Sequence, residues 1–201
     1  TAGKRAGGLL AAAGALPSGT TDNVRLTILG ILLRAAGLPE RYPQACFCLW
    51  LHSLGHFEKV KAEIEAAGRS FDRELNNLYV SGPIARSVLA CEPDFATNEA
   101  EARQALRAQF PPQTFDITTD QFLRTVKDAL RLVGKDGRLP CTLLILDEAQ
   151  QYIGESNDRS VLVTEVAEAV SKQLDSHVMI VGAGQSALTD VPLLQKLMDR
   201  F

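Results

Sequence analysis

The spacing of apolar residues along the chain changes character near position 140. Upstream, apolar residues recur at helical intervals. The stretch "DNVRLTILGILLRAAGLP" sets Val24, Ile28, Ile31, Leu32 and Ala35 on one helical face, and Gly37 and Pro39 end it. "FEKVKAEIEAAG" turns Val60, Ile64 and Ala67 inward, with Glu58 and Lys61 outward. "NEAEARQALRAQF" predicts a helix starting at Asn98, with Glu101 three residues on in a capping-box arrangement; Pro111-Pro112 then breaks the chain. "ITTDQFLRTVKDALRLVG" is the cleanest case. Thr118 caps it, Gln121 returns the bond, and Phe122, Val126, Ala129 and Val133 form the buried stripe up to Gly134.

From Cys141 the helical period is lost. Leu143 to Leu146 are four consecutive apolar residues, the pattern of a parallel strand covered on both faces. A helix follows over roughly 158–174, with Val163, Val166, Ala167, Val170 and Leu174 on one side. "HVMIVGAG" then reads as a second buried strand. Strand, helix, strand with this spacing predicts a right-handed crossover between parallel neighbours. "TDVPLLQKLMDRF" reads as a helix start or a short helix at the chain end. The expected fold class is therefore α/β, with residues 1–138 a mostly helical region or insertion and residues 139–201 an α/β core segment.

Composition narrows the classes little. The 201 residues carry a formal net charge of −3, so a strongly basic nucleic-acid face is not indicated. No apolar run reaches the roughly 18 residues that span a bilayer. "KRAGGLLAAAGALPSG" imitates a signal peptide in its two cations and small-residue stretch, but it is Ala- and Gly-rich, and a loop with a helix start is the better reading. The chain begins at Thr1 rather than Met, which leads us to expect a fragment or a processed product. Cys46, Cys48, Cys91 and Cys141 do not form a disulfide framework by spacing, so a reducing cytoplasm is the expected setting.

The candidate chemistry lies in "TLLILDEAQQYIG". Ligand sites of open α/β sheets lie beyond the carboxyl ends of the strands, and Asp147 and Glu148 stand at such an end. Asp147 is suited to hold Mg²⁺ through its water shell, and Glu148 to orient and deprotonate an attacking water. The plainer reading is that the pair caps the next turn of an ordinary βα unit. Past the second strand, Gln185 is placed to sense a γ-phosphate or, with Ser186, to cap the next helix. Arg200, in "LLQKLMDRF", is a candidate guanidinium for a neighbouring subunit's phosphoryl group, or a surface arginine.

A phosphate loop with its lysine is missing. "GALPSGTT", Gly14 to Thr21, has the spacing G-x-x-x-x-G-x-[ST] but carries Thr20 in place of lysine, and the "LLAAA" before it reads as helix-prone. We therefore expect the phosphate loop upstream of Thr1. "CFCLWLHSLGH" places Cys48, His52 and His56 at i, i+4 and i+8; these are candidate Zn²⁺ ligands or, on the plainer reading, partly buried helix residues.

Beside these residues, the chain resembles the large P-loop ATPases of bacteriophage exclusion (BREX) defence systems, related to the phage-growth-limitation ATPases. The stretches that carry the likeness are "ELNNLYVSGPIA", "CTLLILDEAQQYIGESNDRS", "VAEAVSKQL" and "IVGAGQSALTDVPLLQKLMDRF". It runs from about Gly30 to the end, and "DEAQQYIG" followed by "GQSAL" is its most specific pair. The family has Thr where Ala183 stands. The resemblance implies an AAA-like ATP- and Mg²⁺-dependent ATPase of well over a thousand residues. It also implies an oligomer acting in prokaryotic phage defence with a DNA methyltransferase and other components. The alternatives are a non-catalytic scaffold with a degenerate NTPase fold, and a DNA-contacting module.

Overall fold

A computed structural model describes residues 7–16, 23–154, 156–174 and 176–184. Three strands are present among them: β1 (Leu9–Ala15), β2 (Cys141–Asp147) and β3 (Val178–Gly182). The helices are α1 (Val24–Ala35), α2 (Tyr42–Ser53), α3 (Phe57–Ala66), α4 (Phe71–Asn76) and α5 (Gly82–Cys91). They continue with α6 (Glu99–Gln109), α7 (Thr119–Val133), α8 (Ala149–Ile153) and α9 (Asn157–Gln173). The chain folds as two compact units, residues 1–40 with 115–201 and residues 41–114.

The first unit is α/β. Its strands are all parallel in the order β1-β2-β3, with Leu9 opposite Cys141, Ala15 opposite Asp147, and Leu146 opposite Gly182. The expected β2–α9–β3 crossover is therefore present. Residues 1–138 are expected to be a mostly helical region or insertion, and β1 adds a strand to them where "LLAAA" reads as helix-prone. Pairing outweighs the alanine propensity here, because a strand beside β2 satisfies a full ladder of backbone groups. Small side chains also let α1 lie close. A β-carbon on Gly14 would stand 2.6 Å from Ile31 Cγ1. Arg34 of α1 donates to the Ala13 carbonyl at 2.9 Å. The unit boundaries move with β1: they fall at 40/41 and 114/115, not at 138/139.

Alternate residues of the sheet face opposite ways. One face carries Ala12, Thr142, Leu144, Leu146 and Val178, all buried. α1 packs on it through Gly14, α9 packs on β3 and α1, and α7 packs on α1 and α9. The other face carries Leu9 (79% exposed), Leu143 (37%), Met179 (65%) and Val181 (41%). Burial on both faces, expected from the run Leu143–Leu146, is thus met on one side only among the described residues. α7 follows its sequence signal closely. Thr118 Oγ1 accepts from the Gln121 N–H at 3.2 Å, Gln121 Oε1 accepts from the Thr118 N–H at 2.9 Å, and Phe122, Val126 and Ala129 are buried. No helix among the described residues is long and apolar enough to cross a membrane.

The second unit is helical. Phe47, Leu51, Val60, Ile64, Leu78, Ile84, Val88 and Leu106 fill its core. Phe47 meets Phe110 edge-on at 5.8 Å, and Tyr79 Oη donates to the Phe110 carbonyl at 2.7 Å. Asn98 caps α6 by accepting the Glu101 N–H at 3.0 Å; the Glu101 carboxylate returns to Thr97, one residue earlier than a capping box places it. Ser81 is buried and does two jobs. Its Oγ accepts the Ile84 N–H at 3.1 Å, capping α5, and donates to Glu74 Oε2 at 2.6 Å. Arg69 Nη1 donates to Glu74 Oε1 at 3.0 Å.

Two stability measurements follow from this packing. Gly14→Ala should destabilise by about 1–3 kcal/mol in urea unfolding, with partial recovery in the Gly14→Ala/Ile31→Val pair; no loss would mean that α1 does not lie this close. The Ser81 hydrogen bond, followed by that of Arg69, holds the Glu74 carboxyl below the usual carboxylate range. A lowered folded pKa gives stability above the unfolded value that is lost as pH falls through the folded value. The wild-type advantage over Glu74→Gln should therefore be full at neutral pH and fade in acid; an advantage independent of pH would reject the linkage.

Candidate functional site

Because the strands are parallel, their carboxyl ends share one edge of the sheet. Backbone hydrogen bonds carry the contact past the strands themselves. The Leu16 N–H donates to the Asp147 carbonyl at 2.9 Å, tying the exit of β1 to that of β2. On the other side the Ala183 N–H donates to the Leu146 carbonyl at 2.8 Å, and the Ala149 N–H donates to the Ala183 carbonyl at 3.2 Å. Ala183 and Gly184 therefore lie beside the turn that bears Glu148. A β-carbon on Gly184 would stand 2.9 Å from Gln150 Oε1, so the Gln150 side chain lies against the β3 exit.

Asp147 is the last residue of β2, and Glu148 is the N-cap of α8. Both acids therefore sit at the strand end that the sequence indicates. Asp147 is exposed and points to the open face of the sheet; its Oδ1 accepts the Glu148 N–H at 2.9 Å. Glu148 has φ 56 and ψ 22, the left-handed region that side chains avoid. Its carbonyl accepts the Tyr152 N–H at 3.0 Å, which starts α8 immediately. The chain thus turns through Glu148 with no intervening loop. Neither carboxylate enters an ion pair among the described residues. Asp147, an exposed hard oxygen donor in no ion pair among the described residues, is of the kind that holds Mg²⁺ through its water shell. Nearby, Arg159 donates to the Tyr152 carbonyl at 2.9 Å, and its guanidinium lies 5.2 Å from the Tyr152 ring centroid. Burial raises the Tyr152 phenol above its usual range.

Gln185 follows Gly184 directly, but Gln185 and Arg200 lie outside the described residues, as do residues 17–21 of "GALPSGTT". The context used against that last stretch is corrected. A strand, β1, does lead into it, and ends opposite Asp147. The objection from chemistry stands, since Thr20 supplies no cation. Gln150 was missed in the sequence. Its place in "DEAQQ", two residues past Glu148, was the available signal.

The cysteine–histidine series does not form a cluster. Cys48 and His52 lie on α2, but α2 ends at Ser53 and His56 becomes the N-cap of α3. His56 Nε2 meets Glu92 Oε1 at 2.7 Å, and the His52 ring stacks on Phe57 at 3.9 Å. Burial pushes the Cys48 thiol up to about 12. No group of three His, Cys, Asp or Glu among the described residues is placed to hold a metal ion.

The left-handed turn has a measurable consequence. Glycine pays no steric penalty at such a backbone, whereas alanine does. Glu148→Gly should be more stable than Glu148→Ala by about 1 kcal/mol in chemical denaturation. Equal stabilities would place Glu148 in an ordinary backbone region. In comparison with known proteins, no family model, no curated protein and no solved structure matches this chain.

Proposed function

We propose that this chain is part of an AAA-like, ATP-hydrolysing protein of a BREX-type phage-defence system. The observation that carries the reading is the pair Asp147 and Glu148 at the end of the central strand, with the β3 exit hydrogen-bonded beside it. Asp147 would bind Mg²⁺ of a Mg·ATP complex, and the ion when bound would neutralise charge on the phosphates. Glu148, fixed by its turn, would take the proton of the attacking water. Gln185, next after Gly184, would donate its amide to the γ-phosphate, and Arg200 would serve a neighbouring subunit of an oligomer. Other components of the defence system would be its partners in the cytoplasm.

One observation favours a second reading, a scaffold with a degenerate nucleotide-binding fold. β1 ends level with Asp147 and runs into a G-x-x-x-x-G-x-[ST] stretch whose lysine position holds Thr20. The two readings part in the complete protein. On the ATPase reading, ATP binds, and Glu148→Gln retains binding within about twofold while hydrolysis falls at least 100-fold. The 201-residue chain alone should turn over no ATP. Retained hydrolysis in Glu148→Gln would remove Glu148 as the base. Failure of the complete protein to bind ATP at all would leave the scaffold.

A further inference from the structure

The second unit contains a polar cleft of about 810 Å³ that the ATPase reading does not use. Its walls are the segment Gly68–Ser70, helix α4 and the start of α5. Three guanidinium groups line it, from Arg69, Arg73 and Arg86, against one carboxylate, that of Glu74. The lining therefore carries a net charge of two positives. Glu74 is committed chiefly to Ser81 and Arg69 and acts on Arg73 only through a weaker Coulomb attraction. One oxygen is taken by Arg69 and the other by Ser81, and only 12% of its side chain is exposed. Arg73 forms no ion pair among the described residues. Arg86 has one long contact, 3.4 Å to Glu99, and Glu99 is shared with Arg103 at 3.8 Å.

A guanidinium binds a tetrahedral oxyanion with two parallel N–H donors, and does so better than it binds one distant carboxylate oxygen. A phosphate monoester carries a charge of roughly −1.5 to −2 at neutral pH, opposite in sign to the lining, whose positive excess Glu99 offsets in part from beside Gly82 and Arg86. No aromatic ring lines the cleft, so a base has no stacking surface there. Val80, 67% exposed, and Pro83 offer small apolar contacts beside the arginines. We propose that this cleft binds a phosphate monoester, with Arg73 and Arg86 as the principal ligands and Arg69 held in place by Glu74. On binding, the ester oxygens replace Glu99 on Arg86, and Glu99 passes to Arg103.

The test is a titration of the 201-residue chain with O-phosphoserine, followed by the backbone amide signals of residues 69–86. Serine at matched ionic strength is the reference. Phosphoserine should saturate shifts in this segment and serine should not. Arg73→Gln and Arg86→Gln, both exposed positions, should each weaken binding at least tenfold, while Lys59→Gln, an exposed charge outside the lining, should leave it unchanged. A short phosphoserine peptide in a second arm separates the sources. Tighter binding than the free amino acid assigns a protein-borne phosphate, and equal binding assigns a free ester. Shifts no larger than those of serine, or equal affinity in both arginine variants, overturn the proposal. None of these results depends on ATP hydrolysis, so the two readings fail separately.

Discussion

The parallel pairing of β1 with β2 is the constraint on which the rest of the first unit depends. Two parallel neighbours cannot be joined by a tight turn, so the chain must travel back along the sheet before it can pair again. Here the return path is long, from Leu16 to Pro140, and it contains α1, all of residues 41–114 and α7. The same constraint aligns the three strands, so that Ala15, Asp147 and Gly182 finish at one edge. The grouping of candidate residues there is a result of strand direction. It would be lost if any one strand ran the other way.

What holds the helices of this unit to one another is a mixture of packing and one largely covered arginine. Arg25, on α1, has a side chain only 13% exposed; it reaches Asp116 at 3.5 Å and Glu165 at 3.2 Å. It thereby links α1 to the segment before α7 and to α9, three pieces far apart in sequence. Its Nε is buried without a hydrogen-bond partner. Such an arrangement contributes more to fixing positions than to net stability, since desolvating the guanidinium offsets much of the Coulomb gain. Removing Arg25 would leave two acids that are themselves half exposed, which limits the cost.

Local signals were legible in the sequence where they were self-contained. The box of Thr118 and Gln121 starts α7, the cap at Asn98 starts α6, and the apolar runs before Asp147 and Gly182 are strands. β1 was not legible because nothing local marks it. "LLAAAGA" has helix-favouring alanines, and its strand state is fixed by β2, over a hundred residues away. α4 and α5 are not marked out by apolar spacing, although their caps at Ser70 and Ser81 are local. His56 shows the opposite failure: helical spacing was extended past Ser53, where Leu54 and Gly55 end the helix. Of the candidate site, the acids were readable from the apolar-to-acidic step. Gln150 carries only its place in "DEAQQ" as a signal, and its contact with Gly184 depends on β3 lying beside it.

Glu148 is where these lines meet. The backbone there accepts a conformation costing on the order of 1–2 kcal/mol for a residue with a side chain. Three hydrogen bonds within two residues of it hold the turn: Glu148 N–H to Asp147 Oδ1, Ala149 N–H to the Ala183 carbonyl, and Tyr152 N–H to the Glu148 carbonyl. A capping role alone would not select this residue, since glycine or asparagine occupies the left-handed region at lower cost. The Glu148 side chain also makes no N-cap hydrogen bond to α8. The carboxylate is therefore no part of what caps α8, and the strained backbone is held by the hydrogen bonds around it.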